Sequence, residues 1–304
     1  MTDKQDVYSR VTNRIICDLE KGTLPWVQPW QAGHVAGSVS RPLRAVGIPY
    51  KGVNVLMLWV AAMEGNFCCP IWLTYKQAQE AGGQVRKGEK GALVVYANTF
   101  SKTTTTEKGE EVEEAIPFMK GYTVFNVEQI DKLPAHFYAR VEPFHETPLE
   151  RITHFENFFA ATKADIRHGG SGAFYRIDAD FIQMPQIQSF HNVEGYYATA
   201  AHELTHWTRH KSRLDRDLGR KRFGDAGYAM EELVAEIGAA FLCVDLGLVP
   251  EPREDHAAYI DSWLKVLKHD KRAIFSAASH AQRAVDFLQR LQPTRGSLEM
   301  AINN

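Results

Sequence analysis

His202, Glu203 and His206 stand in the stretch AHELTHWTRH, Ala201–His210. On a helix, residues four apart share a face, roughly 40° apart and one turn along the axis. Two imidazoles so placed can offer nitrogens to one cation. The glutamate between them is then positioned to take a proton from a water activated there. His202 and His206 are thus the expected metal ligands, and Glu203 the expected general base.

A hydrolytic zinc site takes three protein ligands and keeps a fourth position open. His210 is four residues beyond His206. On a continuous helix it would lie about 80° and roughly 12 Å from His202, too far to share a small cation. It also breaks the longer His-Glu-x-x-His-x-x-Gly-x-x-His pattern, because position 209 is Arg and position 212 is Ser. His210 reads as a surface residue near a helix C-terminus. The next helix, MEELVAEIGAAF, offers Glu231, Glu232 and Glu236. Glu232 and Glu236 share a face with Ala239, Ala240 and Cys243, which are small and suited to packing inward. Carboxylates on a buried face need partners. Glu232 as the third ligand gains one. Glu236, a turn further on, can hydrogen-bond the remaining nitrogen of either histidine. Glu231 points elsewhere on the helix and stands as the alternative ligand.

The expected cofactor is one divalent metal, with Zn²⁺ the first choice. Cys17, Cys68, Cys69 and Cys243 form no C-x-x-C pair and read as reduced thiols, so His and carboxylates must build the site. The carboxylates are too few for a two-metal nuclease. Tyr196, Tyr197, His191 and Tyr228 are candidates for stabilising an oxyanion.

These side chains need helices to hold them. The periodicity predicts one over Glu194–Arg209 and a second from Tyr228 to about Gly247, with two more at Asp255–Lys268 and Lys271–Leu291. Before them come a helix at Arg151–Lys163, a GGSG turn, and a strand or hairpin at Ala173–Pro185. The charged, Gly-punctuated segment Lys211–Arg222 between the two metal helices reads as a cleft lid or a second contact for DNA.

The chain has 304 residues, 44% hydrophobic and 24% charged, which fits a folded protein of two domains. Its net charge of −2 excludes an acidic mimic of DNA and does not suggest a generic basic DNA binder. Its polar, mixed-charge start is no secretory signal, and its longest apolar run is far short of a membrane span. A cytoplasmic protein without a membrane partner is expected. The fold class is α+β: a domain over residues 1–140, a Pro-containing linker at 141–150, and a mainly helical domain with a small sheet over 151–304. In the first part, a helix with Val7, Val11, Ile15 and Leu19 stops at Lys21–Gly22. A second helix starts near Asn54. Strands Ala92–Phe100 and Ala115–Ile130 flank the acidic, Thr-rich stretch Thr104–Glu114, read as a long mobile tip.

The first part carries no catalytic constellation, but aromatics recur beside basic turns. Unpaired nucleic acid is held by rings that stack on bases and cations that follow the backbone. Trp26, Trp30, Tyr50, Trp72 and Tyr75 are candidate platforms. Lys51, Arg86, Lys87 and Lys90, with Arg44 and Lys76, are candidate phosphate contacts.

Two resemblances extend this. The metal motif followed by Glu and a second acid four residues on resembles the gluzincin-like metallopeptidases. The strand at Ala173–Pro185 is similar to the edge strand that pairs with extended peptide in such folds. Over nearly its whole length the chain resembles the ArdC antirestriction proteins of conjugative plasmids. The resemblance rests on LPWVQPW, PYKGVNVLML, IWLTYKQAQEAGGQVRKGEKG, GYTVFNVEQI, YYATAAHELTHWTRH, RFGDAGYAMEELVAEIGAAFL and YIDSWLKVL. It implies a domain that binds single-stranded DNA followed by a zincin-like metallopeptidase domain, protecting incoming plasmid DNA from restriction. A protein of the host restriction system is the target this suggests.

Overall fold

The computed structural model describes residues 6–26, 40–105, 111–138, 148–219, 224–248 and 256–293. Trp30 lies outside them, as do residues 220–222 of the basic segment. The fold is α+β. Its first half runs α1 (Val7–Glu20), β1 (Leu43–Arg44), α2 (Val53–Gly65), β2 (Ile71–Thr74), α3 (Tyr75–Glu80), β3 (Gln84–Val85), β4 (Ala92–Thr105), β5 (Glu111–Asn126) and β6 (Ile130–Asp131). The second half runs α4 (Pro148–Thr162), β7 (Asp165–His168), β8 (Phe174–Arg176), β9 (Phe181–Met184), α5 (Val193–Trp207), α6 (Ala226–Asp245), α7 (His256–His269) and α8 (Ala273–Arg290).

Helix α1 begins where the Asp6 carboxylate accepts the Ser9 amide and ends at Lys21, with Gly22 at φ +76° turning the chain away. It buries Val11, Ile15 and Leu19 as one stripe. Helix α2 is apolar nearly all round, so it runs through the core rather than over it. Asn54 does not cap it. Gly52 precedes the helix, and the Asn54 amide exchanges hydrogen bonds with the Val95 backbone at 2.9 and 2.8 Å, pinning α2 to β4.

The first sheet has the order β1-β2-β5-β4. Strand β2 meets β5 only at Val124–Asn126, and beyond that β4 and β5 continue as a two-stranded ribbon. Pairing persists to Thr105↔Glu111. This corrects the expected long loop at Thr104–Glu114: most of that stretch is strand, and residues 106–110 lie outside the described residues. Threonine's β-branched side chain favours extended backbone, and composition alone had suggested a loop. The sheet of the second half has the order β7-β9-β8, so Ala173–Pro185 is a hairpin with its second strand in the centre of the sheet. Helix α4 begins at Pro148, inside the expected linker, because Pro is well suited to a first helical turn.

The two halves share one hydrophobic core. Trp26 packs edge-on against Trp263 of α7, with centroids 5.5 Å apart, and Trp59 of α2 meets Phe241 of α6 at 5.8 Å. Arg41 adds a polar tie. Its guanidinium grips Asp245 with Nε–Oδ1 at 2.5 Å and Nη2–Oδ2 at 2.9 Å, donates to Gln282 Oε1 at 2.7 Å, and lies over the Phe241 ring. Removing one partner of a buried pair strands the other. Arg41→Met is therefore expected to cost about 3–5 kcal/mol in urea unfolding, and Arg41→Met with Asp245→Leu to recover much of it.

Candidate metal centre

Two helices build the site. Asn192 caps α5 by accepting the Gly195 amide at 2.7 Å, and Asp225 caps α6 by accepting the Tyr228 amide at 2.7 Å. Every residue of α5 from Tyr196 to Trp207 is buried. The two helices press closely together. A Cβ added at Gly238 would fall 2.5 Å from Thr205 Cγ2, so a larger residue there forces them apart. This contact sets the reach between the imidazoles of α5 and the carboxylates of α6.

His202 Nε2 and His206 Nε2 face each other at 3.1 Å. Glu232 completes a triangle, with Oε2 at 3.4 Å from His202 Nε2 and Oε1 at 3.6 Å from His206 Nε2. Donor atoms about 2.0–2.2 Å from a tetrahedral cation lie roughly 3.3–3.6 Å apart, so this spacing suits one divalent ion. His202, His206 and Glu232 are all buried.

The outward ring nitrogens each meet a carboxylate. His202 Nδ1 is 3.1 Å from Glu236 Oε1, and His206 Nδ1 is 3.0 Å from Glu231 Oε1. A proton held on Nδ1 leaves the Nε2 lone pair turned to the centre. Glu231, the alternative ligand of the sequence reading, thus stands behind His206. It is itself gripped by Arg216, with Nε–Oε2 at 2.9 Å and Nη2–Oε1 at 2.8 Å. The same guanidinium donates to Thr208 Oγ1 and to the Thr205 carbonyl, each at 3.0 Å.

Charge accounts for the arrangement. Burial alone would raise the Glu231 carboxyl, but the Arg216 guanidinium and then His206 outweigh it and hold the pKa at about 2. Glu232 is likewise kept well below the usual carboxylate range, against burial, by His206 and His202. Burial would lower His206, yet Glu232 and Glu231 together push it up to about 10.

Arg216 escaped the sequence reading. It sits in the segment Lys211–Arg222, where charges cluster without a helical period, and nothing local sets it apart from its neighbours. In the structure it is buried, and Arg213 packs over the Trp207 ring while pairing with Asp180. Two cations of that segment therefore hold the site's frame. Glu203 follows His202 on α5 and is buried. Tyr197 donates to Glu156, and Tyr196 pairs with His168. Tyr228 has its hydroxyl 3.0 Å from that of Tyr259, and His191 is exposed. His210 leaves the helix and turns its Nδ1 to the Ser212 hydroxyl.

The candidate DNA contacts separate by burial. Trp26, Tyr50 and Trp72 are core residues, at most 3% exposed, so their ring faces are not open to a base. Their apolar bulk serves packing, which the local sequence does not distinguish from display. Tyr75 is exposed. Lys51 pairs with Asp286, Lys76 with Glu80, and Arg86 with Glu89 and Asp131. Arg44 lies over the Tyr50 ring. Lys87 and Lys90 are exposed with no ion pair among the described residues.

A helical half with His-Glu-x-x-His facing an acidic helix defines a zincin-like metallopeptidase fold, joined to an α+β half. The zincin-like metallopeptidase family model matches residues 153–280, and the model for the N-terminal domain of the anti-restriction factor ArdC matches residues 5–125. The chain belongs to the ArdC antirestriction family. The crystal structure of the antirestriction ArdC protein from plasmid R388, metal-free, is 48% identical over 94% of this chain and 98% of its own, with a TM-score of 0.78. The Mn(II)-bound structure of the same protein gives 0.75. The uncharacterized protein y4eC of Sinorhizobium fredii is 42% identical over 94% of this chain and 92% of its own length. DNA primase TraC of Escherichia coli is 40% identical over 94% of this chain, which spans only 27% of TraC. A divalent cation is the group that fold, donor set and relatives agree on.

Two outcomes follow from the charges. Arg216→Met or Glu231→Gln should weaken metal binding about 10–100-fold by competitive chelator titration, with His202, His206 and Glu232 all retained. Metal and proton compete for His206. At pH 7 binding should release close to one proton per chain, seen calorimetrically in buffers of different ionisation heat, and the release should vanish above about pH 10. In the metal-free chain the raised His206 pKa has the matching sign. Its stabilising contribution is complete below the unfolded value of about 6.5 and is lost as pH rises through about 10.

Proposed function

We propose that this protein binds single-stranded DNA and protects incoming conjugative plasmid DNA from restriction, using a zinc-dependent peptidase site at His202, His206 and Glu232 with Glu203 as base. The observation that carries the catalytic reading is the convergence of two Nε2 atoms and one carboxylate, with a buried carboxylate behind each imidazole. Family membership supports the antirestriction role.

The bound cation supplies Lewis-acid polarisation of water and of a peptide carbonyl. The chain's own residues supply the rest. Glu231 holds the His206 Nδ1 proton outward and fixes that ring plane, and Glu236 places a carboxylate 3.1 Å behind His202 Nδ1. Arg216 keeps Glu231 ionised. Glu203 accepts a proton from the attacking water and delivers it to the leaving amine. A glutamate between two ligands has no task in a centre that only scaffolds the fold. We assign residues 1–140 to DNA and 151–304 to the peptidase, joined at 141–150, and place the action in the cytoplasm on a protein of the host restriction system. No helix among the described residues is long and apolar enough to cross a membrane.

Glu203→Gln separates chemistry from binding. Metal content by mass spectrometry should be unchanged, peptidase turnover should fall on the order of 10²–10⁴-fold, and protection of a conjugating plasmid in a restricting host should be lost. Full protection by Glu203→Gln would show that binding alone protects and would overturn the proteolytic part of the proposal.

A further inference from the structure

A cleft of about 620 Å³ opens in the first half between α1, α2 and the turn at residues 86–91. That is within the roughly 300–1,000 Å³ typical of sites for small molecules. Met57, Ala61 and Phe67 give it an apolar floor, with Trp72 buried behind Phe67, and Arg10 and Lys90 stand on its rim. Phe67 is the half-buried ring. Its edge contact with Trp72 is 5.9 Å between centroids, and it lies so close over Gly65 that a Cβ there would fall 2.2 Å from the ring.

The charges of the lining are not equivalent. Arg14 is taken up by Asp18 and Glu64. Glu89 is held by Arg86 at 2.7 Å and by the Gln129 amide at 2.9 Å. Arg10 and Lys90 are exposed and have no ion pair among the described residues. The cleft therefore presents Arg10 and Lys90 over an apolar floor, and its lining carries three cations against two carboxylates.

The turn that carries Lys90 is held in place. Buried Gln129 donates to the Lys90 carbonyl at 3.0 Å, and the Arg86 amide donates to the Gln129 carbonyl at 3.0 Å. Gly91 lets the turn lie against β5, where a Cβ would meet Thr123 Cγ2 at 2.3 Å. In RKGEKG, Arg86 and Glu89 brace the turn while Lys87 and Lys90 remain at the surface. A cation held before binding loses less entropy when it takes a ligand.

We infer that this cleft takes one unpaired nucleotide of a single DNA strand, its base against the floor at Phe67 and its flanking phosphates on Arg10 and Lys90. The inference rests on the DNA-binding reading above and gives it a place. An apolar floor with a cationic rim matches a base with a charged backbone, whereas a paired base is already stacked and cannot enter.

The test is fluorescence anisotropy on the full, metal-loaded chain, with labelled oligothymidine, the same strand carrying abasic sites, and a duplex. Arg10→Ala with Lys90→Ala should weaken oligothymidine binding at least about tenfold and reduce the salt slope by about 1.4. Ala61→Trp, which fills the floor, should cost the base-bearing strand at least about fivefold and leave the abasic strand nearly unchanged. Lys265→Ala, on the exposed side of α7, is the control for loss of charge. Thermal melting checks the fold, and the exposed positions of Arg10 and Lys90 keep that pair informative if Ala61→Trp does not fold. Two results overturn the inference while leaving DNA binding intact: wild-type affinity in the Arg10/Lys90 pair, or equal losses on base-bearing strand, abasic strand and duplex. Absence of single-strand binding in the wild type overturns the DNA-binding reading itself.

Discussion

Three carboxylates of one helix, Glu231, Glu232 and Glu236, are buried against two imidazoles of another. Unneutralised charge in such a place would be prohibitive, and much of the second half is arranged to balance it. Arg216 is drawn in from a surface-type sequence to meet Glu231. Each histidine presents one nitrogen to a carboxylate behind it and one to the centre. What remains is a converging set of donors with surplus negative charge, the setting in which a divalent cation is most favoured. The close approach at Gly238 and Thr205 is the steric side of the same constraint, because a wider gap would separate the donors.

The parts of the centre that obey helical spacing were legible in the sequence. His202, His206, Glu232 and Glu236 each follow from a period of 3.6 on two strongly patterned helices. The geometric exclusion of His210 rests on the same period, and the structure places that residue in a turn beyond α5. Glu231 and Arg216 were not legible in their roles. Glu231 lies off the expected face, and it acquires a partner only because the chain after α5 folds back and returns Arg216 beneath the helix. No periodicity encodes that return.

The first half divides in the same way. The stripe of α1 and the all-apolar α2 follow from pattern. The tryptophans do not, since a ring beside a basic turn looks alike whether it packs inward or faces a ligand. Trp26 and Trp72 went to the core because the second half supplies α7 against one and the connection after α2 supplies Phe67 against the other. The β4–β5 ladder ran further than composition suggested because cross-strand pairing can carry a Thr- and Glu-rich stretch, threonine being well suited to extended backbone.

The shared core has a bearing on how such proteins are inherited. Trp26 on Trp263, Trp59 on Phe241, and Arg41 on Asp245 each tie one family half to the other. Cutting between the halves would bare tryptophan faces and strand buried charge on both fragments. Recombination that copied only one half would deliver a sticky, unstable piece. In TraC, a protein several times longer, the match runs across 94% of this chain, both halves together.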